Sequence, residues 1–323
     1  MVVMAGSLLS SGCSKSKPVA PSSGSSADAT AASVASDDPV EMRIHWMVGR
    51  KYPLRMELTQ STRTEMPNQA KLLIQDVKLN QDFNIAALKE LDNGGRQLEL
   101  RFEGEQMKVS QGDQPILRFD SAQSPAQDAR DPAAPVLRAV LDARIQYFTD
   151  AGGKVEKMAG VDELTKRITA TGRPQEQAMF NQMFSEDTLK RYGSFGEAMP
   201  GHAVKIGDSW RLRKDMPSPI GILALNLKYT FQNWEQFGDR KCAHVEAEGE
   251  LSSKSISAAT GMMVEITKGK ISGEFWYDPA LGMIVETHND LDLTLKITTR
   301  AQSMTSQFSQ KTRLALVDGP QHF

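Results

Sequence analysis

The sequence predicts an α+β protein, mainly antiparallel β, in which a strongly curved sheet or open half-barrel has two or three helices packed on one side. Two observations predict this class. Apolar and polar residues alternate with a period of two over long segments, whereas helical periodicity is confined to the middle of the chain. Helices that lie between two blocks of antiparallel strands indicate α+β organisation rather than repeated βαβ units.

The clearest strand patterns lie in the C-terminal half, in residues 223–232, 242–251 and 290–298. In each segment one set of alternate positions is apolar and the other is polar, which is typical of an antiparallel sheet with one solvated face. Clusters of Asp, Asn and Gly supply the tight turns that antiparallel neighbours need. These clusters occupy residues 92–95, 150–153, 238–239 and 278–282.

Helical spacing of apolar residues occurs in residues 132–143, 161–171 and 174–192. The third segment either continues as one helix or restarts at Ser185. We expect the helices to lie across one open sheet, because both kinds of element then bury their apolar sides.

The first residues of the chain differ in composition from the rest. A short apolar run from Val2 to Leu9 precedes Ser10, Ser11 and Gly12, and it is too short to span a bilayer. Small residues before Cys13 resemble the lipobox of bacterial lipoproteins, in which the signal is cleaved and the cysteine is acylated. The alternative is a chain without a leader whose apolar start is fortuitous.

A segment of low complexity follows the cysteine. Between Ser14 and Val40, 19 of 27 residues are Ser, Ala, Pro, Gly or Thr, and none is Leu, Ile, Met or aromatic. Such a segment buries too little apolar surface to offset the entropy of ordering, so the composition predicts a flexible tether.

These features together predict the organisation and location of the protein. The predicted parts are a signal peptide at residues 1–12, a lipidated Cys13 with its tether at residues 13–40, and a single β-rich domain at residues 41–323 with a helical insertion near residues 132–192. We expect the protein to be anchored in the bacterial cell envelope by its lipid and to face the periplasm. By resemblance to families with a sorting rule at the residue after the cysteine, Ser14 favours the outer membrane over the inner one.

Three segments carry a resemblance to a known family. They are Pro200 to Trp210 (PGHAVKIGDSW), the tyrosine-bearing strand at Leu227 to Tyr229, and Gly269 to Asp278 (GKISGEFWYD). The chain resembles a group of uncharacterised bacterial lipoproteins, classed as a domain of unknown function, in which a P-x-V-x-x-G-D-x-W block precedes the C-terminal strands. The order of elements is also reminiscent of the LolA/LolB-like lipoprotein carriers. That resemblance implies a curved antiparallel sheet with helices on its concave side.

Composition and motifs exclude several classes of function. Lys and Arg number 38 against 40 Asp and Glu, so the basic excess expected of a nucleic-acid-binding protein is missing. The sequence contains no Gly-rich phosphate loop, HExxH motif or dinucleotide fingerprint. We therefore predict no catalytic residues, no cofactor and no metal.

Two pairs of polar residues nevertheless have side chains that could bind a metal or transfer protons. His244 with Glu246 and His288 with Asp290 are pairs spaced by two residues, so each pair lies on one face of a strand. If the two strands were neighbours, the four side chains could bind a metal or perform acid–base catalysis. The alternative is that both faces are ordinary solvated faces.

Two further motifs have a structural interpretation. The Gly207–Trp210 motif is interpreted as a turn followed by a core tryptophan rather than a nucleophile site. Cys242 is interpreted as a structural thiol, because no base and orienting group accompany it apart from His244.

The most suggestive candidate site is apolar. Met179, Phe180, Met183 and Phe184 lie on a predicted helix that would cover the sheet, and methionine is favoured where a surface accommodates varied apolar ligands. The alternative is simple core packing. We thus predict a non-enzymatic, membrane-anchored envelope lipoprotein that binds a hydrophobic ligand, an acyl chain or lipid, or a protein partner. The alternatives are a structural or assembly-accessory lipoprotein with a fully packed core and, more distantly, a hydrolase.

Overall fold

The structure is a computed structural model that describes residues 38–65, 72–127, 131, 133–141, 143–171, 177, 180, 184–218, 221–256, 262–299, 302–317 and 321–322. The strands are β1 Val40–Glu41, β2 Arg50–Glu65, β3 Leu72–Glu90, β4 Arg96–Gln111, β5 Gln114–Asp120, β6 Arg144–Thr149, β7 Val155–Ala159, β8 Ala203–Val204, β9 Ser209–Ser218, β10 Gly221–Phe237, β11 Arg240–Ile256, β12 Met262–Asp278, β13 Met283–Thr299, β14 Ser303–Leu316 and β15 Gln321–His322. The helices are α1 Ala134–Leu141, α2 Val161–Thr171 and α3 Glu186–Tyr192, followed by a 3-10 helix at Phe195–Ala198. No helix within these ranges is long and apolar enough to cross a membrane.

Most of the strands form one large antiparallel sheet. Its order is β7-β6-β4-β3-β2-β14-β13-β12-β11-β10-β9, with β5 beside β4 and β15 beside β2. Consecutive strands pair within an N-terminal block and within a C-terminal block, and β2 joins the two blocks by pairing with β14 from Leu54 to Thr64. The sheet is open, with β7 and β9 at its ends. The predicted fold class, a curved antiparallel sheet with helices, is confirmed.

The predicted turns fall between the expected strands. Residues 92–95 connect β3 to β4, residues 150–153 connect β6 to β7, residues 238–239 connect β10 to β11, and residues 279–282 connect β12 to β13. Gly238 and Gly282 have φ angles of 60° and 67°, a region that glycine reaches without steric cost. The Asp, Asn and Gly clusters therefore form the turns between strands that the sequence predicts.

Local capping determines where the helices begin. The Asp131 carboxylate accepts a hydrogen bond from the Ala133 amide at 3.0 Å just before α1. Pro135 lies in the first turn of α1, where its missing amide proton costs nothing. The Ser185 hydroxyl accepts a hydrogen bond from the Thr188 amide at 3.3 Å, so a helix does restart at Ser185.

The buried apolar residues form two clusters. Core 1 contains the N-terminal strands and the helices, and its centre includes Tyr52, Phe83 and Ile145. Core 2 contains the C-terminal strands, with Phe231 and Leu291 among its members. The helices therefore cover the N-terminal half of the sheet, whereas the C-terminal strands pack mainly on one another across the curve.

The β12–β13 turn is also a tertiary contact. Gly282 accepts a hydrogen bond from the His45 amide at 2.7 Å, and a Cβ atom added at Gly282 would lie 2.6 Å from the Cβ atom of His45. Asp278 orders the same turn by accepting hydrogen bonds from the amides of Ala280 and Leu281. The segment before β2 is thus fixed against the C-terminal block by a position that only glycine fits.

We expect Gly282→Ala to destabilise the protein more than Gly112→Ala does. Both glycines have positive φ, and alanine in that conformation costs roughly 1–2 kcal/mol at either position. The two sites differ in their surroundings, because a Cβ atom at Gly112 would meet nothing within 4 Å. The contact with His45 adds roughly 1–3 kcal/mol of overpacking at Gly282. Denaturant unfolding of both variants measures the difference, and equal losses would show that the contact is unimportant.

Candidate functional site

A cavity of about 180 Å³ lies on the concave face, between the sheet and the segment Tyr192–Ala198, which we call the closing segment. One wall comes from β2 and β3, where Met56, Leu58 and Phe83 border the cavity, and the opposite wall comes from β9 and β10. The residues of that second wall include Met216, Leu227 and Tyr229. Because β3 and β9 lie seven strands apart in the sheet, the curvature itself creates the cavity.

The closing segment is fastened to the edge strand β9. The Trp210 indole donates a hydrogen bond to the Ala198 carbonyl at 2.9 Å, and the Trp210 ring stacks on Tyr229 with centroids 5.6 Å apart. Lys214 forms an ion pair with Glu197 at 2.7 Å. The predicted turn before Trp210 is confirmed, because the Asp208 carboxylate accepts a hydrogen bond from the Lys205 amide at 3.0 Å.

A buried polar chain positions the other end of the closing segment. The Tyr192 hydroxyl donates to the Gln81 side-chain oxygen at 3.0 Å, and the Gln81 amide nitrogen donates to the Glu105 carboxylate at 3.2 Å. Glu105 is only 2 % exposed. Burial raises the pKa of Glu105 to about 7, and the hydrogen bond from Gln81 offsets only part of that effect. Burial also raises the pKa of Tyr192, so its hydroxyl stays protonated and remains a donor.

The wall formed by β13 and β14 is more polar than the other walls. Thr287, Asn289 and Thr312 border the cavity there. The Asn289 amide nitrogen donates to the Thr287 hydroxyl at 2.7 Å, and the Gln310 amide nitrogen donates to the Thr312 hydroxyl at 3.1 Å. Asn289 pairs with Thr312 across the two strands, so the polar side chains form one continuous patch.

The predicted ligand-binding residues Phe180 and Phe184 lie in core 1 and not at the cavity. Phe180 and Phe184 are 0 % and 6 % exposed, and their rings stack with centroids 6.5 Å apart. Phe184 also packs edge-on against Phe102 in core 1, and neither Phe180 nor Phe184 borders the cavity. Met179, Met183 and Cys13 lie outside the described residues.

Sequence reasoning did not identify the residues that line the cavity. The available signal was the polar pair Thr287 and Asn289 on a strand face that continues as Leu291 and Leu293. Polar residues on an otherwise apolar face indicate a place where the core is interrupted.

His244 and His288 pair with carboxylates other than those of Glu246 and Asp290, which their sequence spacing suggests as partners. Strand β12 separates β11 from β13, and its residue Glu274 bridges the two histidines. The Glu274 carboxylate oxygens lie 3.2 Å from His244 Nε2 and 3.1 Å from His288 Nδ1. Glu246 instead accepts a hydrogen bond from Gln232, and Asp290 pairs with Lys311.

The bridge belongs to a longer chain of ionisable side chains, which we call the histidine ladder. Its members are Glu235, His244, Glu274, His288, Glu286 and Arg313, with a contact of 3.2 Å or less at every step. Trp276 stacks on His244 with ring centroids 5.0 Å apart, and His244 is 8 % exposed. This part of the face is therefore buried rather than solvated, because Trp276 covers it.

The geometry of the ladder is that of a structural ion-pair network. Both nitrogens of each imidazole face carboxylate oxygens, so the neighbouring carboxylates hold each ring on both sides. Burial raises the pKa of Glu286, but the hydrogen bonds from Arg313 and His288 and their charges lower it to a net value below the usual range. Within the described parts of the chain, no three His, Cys, Asp or Glu side chains are arranged to hold a metal ion.

Cys242 lies in core 1 with no exposed surface. Burial, followed by the charge of the nearby Asp278, raises the pKa of its thiol to about 11. A cysteine with so high a pKa stays protonated and is a poor nucleophile.

Comparison with known proteins gives a family assignment. Residues 93–284 match a family of unknown function (DUF6263), and the match spans more than half of the chain. The chain belongs to this family. The region matched to DUF6263 includes the closing segment, Trp210 and β9 to β12, whereas the polar patch on β13 and β14 lies beyond it. No curated protein matches the sequence.

Three solved structures share weak similarity with this member of DUF6263. One is described as "Asymmetric conductivity of engineered proteins", with 9 % identity, a TM-score of 0.21, and coverage of 83 % of this chain and 100 % of the other. A DUF1329 family protein from Desulfovibrio piger has 8 % identity, a TM-score of 0.11 and coverage of 84 % and 86 %. An acetoacetate decarboxylase-like enzyme from Sphingomonas wittichii has 9 % identity, a TM-score of 0.12 and coverage of 86 % and 94 %. None of these likenesses supports an argument about this chain.

We expect Glu105→Gln to stabilise the protein at pH 8 and to have little effect at pH 4. The folded pKa of about 7 lies above the ordinary value of 4.5, so the unfolded chain loses this proton first and stability falls as the pH rises from 4.5 to 7. Glutamine does not titrate, so the substitution removes this loss of stability, which is of the order of 3 kcal/mol. The side-chain oxygen of the new glutamine still accepts the hydrogen bond from Gln81.

Thermal or denaturant unfolding between pH 4 and pH 8 measures this effect. Glu248→Gln, at an exposed carboxylate on β11, is the matched control and should leave the pH dependence unchanged. If wild type and Glu105→Gln have parallel stability profiles, Glu105 does not titrate in this window.

Proposed function

We propose that this protein is a non-enzymatic lipoprotein of the bacterial cell envelope that binds one apolar chain, such as an acyl chain, in the concave cavity. The observation that supports this proposal is the cavity itself, with apolar walls from β2, β3, β9 and β10. Ligand sites are typically concave and mostly apolar, with a few polar groups that fix orientation. A fully packed core would leave no such space.

The volume of the cavity limits the ligand. Apolar cavities of about 150 Å³ hold one benzene-sized molecule, and sites for drug-sized ligands begin at about 300 Å³. A cavity of about 180 Å³ therefore suits a segment of a single slender chain.

The closing segment offers an access route to the cavity. One indole hydrogen bond and one ion pair fasten it to β9, and the ion-paired side chains of Lys214 and Glu197 are 42 % and 32 % exposed. Exposed ion pairs contribute about 0–1 kcal/mol and a single hydrogen bond about 0.5–1.5 kcal/mol, so these two contacts together hold this end by only a few kcal/mol. Displacement of Phe195 and Ala198 would open the cavity beside β9.

The N-terminal residues suit a binding protein held near a membrane. Acylation of Cys13 would anchor the chain, and the tether ends where β1 begins at Val40. A flexible tether of 27 residues has a root-mean-square span of roughly 30 Å. We propose the outer membrane as the site of anchoring, with the domain in the periplasm.

We expect protein extracted without denaturation to retain one single-chain lipid, detected by native mass spectrometry. Ala247 borders the cavity, so Ala247→Leu should fill it and abolish retention. Ala224→Leu, on the opposite face of β10, is the matched control and should retain the lipid. A wild-type protein that carries no lipid and binds no added octane would overturn the binding proposal.

We expect metabolic labelling with an alkyne fatty acid to mark the wild-type protein and to leave Cys13→Ser unlabelled. The anchor depends on the cysteine thiol, which serine does not provide. Membrane fractionation should move Cys13→Ser to the soluble fraction, and equal labelling of both proteins would overturn the anchor proposal.

A further inference from the structure

The polar patch on β13 and β14 is unusual for a site that binds only hydrocarbon. Thr287, Asn289 and Thr312 border the cavity, while the facing positions on β10 are Leu225, Leu227 and Tyr229. A hydrocarbon chain beside Thr312 would cover its hydroxyl without offering a hydrogen bond in return. A ligand that has its own polar group at this point avoids that cost.

Gln310, which is bonded to Thr312 beside the patch, has hydrogen-bonding capacity that the described residues do not use. Gln310 is 3 % exposed, and its side-chain oxygen is buried with no hydrogen-bond partner in the described parts of the chain. Its amide nitrogen donates to the Thr312 hydroxyl, which leaves the hydroxyl proton of Thr312 outside that bond. If the Gln310 side-chain amide were rotated by 180°, the Thr312 hydroxyl would donate to the Gln310 oxygen. The amide protons of Gln310 would then lack an acceptor in that pair. In both arrangements the pair retains an unused polar atom, and Thr312 is the member of the pair that borders the cavity.

The charges around the cavity argue against a charged ligand group. Three charged residues border the cavity, namely Glu197, Lys214 and Glu274. Glu197 and Lys214 pair with each other at 2.7 Å, and the Glu274 carboxylate is held by His244 and His288 in the histidine ladder. A carboxylate or ammonium group placed on the patch would lose its hydration without an unpaired countercharge to replace it.

We propose that the ligand is a single-chain lipid with an uncharged oxygen function, such as a hydroxyl or an ester carbonyl, that binds the patch of Thr287, Asn289 and Thr312. This inference rests on the proposed function, because it names the ligand class of the same cavity. The apolar walls hold the chain, and the Thr312 hydroxyl hydrogen-bonds the oxygen function.

Isothermal titration of delipidated full-length protein with octane, 1-octanol, octanoate and octylammonium tests the inference. Thr312→Val removes the hydroxyl and preserves the shape of the side chain. Wild type should therefore bind 1-octanol about tenfold more tightly than Thr312→Val does, which corresponds to one net hydrogen bond, and the two proteins should bind octane equally. Thr305→Val, at an exposed position on β14, is the matched control and should behave as wild type.

The outcomes separate this inference from the proposed function. Equal affinity of wild type and Thr312→Val for 1-octanol would overturn the inference and leave an apolar binding site. Tighter binding of octanoate or octylammonium than of 1-octanol would overturn it in favour of a charged ligand. If no probe binds, the proposed function fails as well. The thermal midpoint of Thr312→Val verifies folding, and a Thr312→Ser variant should restore 1-octanol binding if the hydroxyl acts as proposed.

Discussion

The pairing of β2 with β14 is the contact on which the rest of the structure depends. In the sheet, the N-terminal strands β2 to β7 and the C-terminal strands β9 to β14 pair within their own blocks, and β2 joins them. Eleven residue pairs between Leu54–Leu316 and Thr64–Ser306 make the sheet continuous. The entropy cost of closing so long a loop grows only slowly with its length, so an extended ladder can offset it. Once the blocks are joined, the curvature of the sheet brings Phe83 and Leu227 to opposite walls of one cavity.

The two sides of the C-terminal block differ in how firmly their side chains are held. On the convex side, the histidine ladder crosses β10 to β14 and is covered by Trp276, so charged contacts connect five neighbouring strands. The centre of this network, at His244, Glu274 and Glu286, is largely buried, so removal of one of these partners is costly and these contacts stiffen this wall. On the concave side, the closing segment is held at β9 by one hydrogen bond and one exposed ion pair. A rigid wall opposite a weakly fastened segment is a suitable arrangement for the admission of a ligand.

Local sequence patterns predicted most of the fold and little of the site. The alternation at residues 223–232 and the Asp-Pro-Ala-Leu-Gly turn at residues 278–282 depend on neighbouring residues alone, so β10 and the β12–β13 turn were predictable. The β2–β14 pairing depends on residues about 250 positions apart, which no local pattern encodes. The same limit explains the candidate site, because Phe180 and Phe184 have the spacing of a ligand-binding helix but fill core 1. His244 and His288 meet through Glu274 on the strand between them, which spacing along one strand cannot reveal.

The central claim is that the curved sheet encloses a site for one apolar chain between Phe83, Leu227 and the closing segment. A crystal structure of protein extracted without denaturation tests this claim most directly. We predict one elongated, unbranched density in the cavity, with one end against Thr312 and the remainder in contact with Leu227 and Tyr229. A cavity filled by protein side chains, or one that holds only ordered water, would contradict the account.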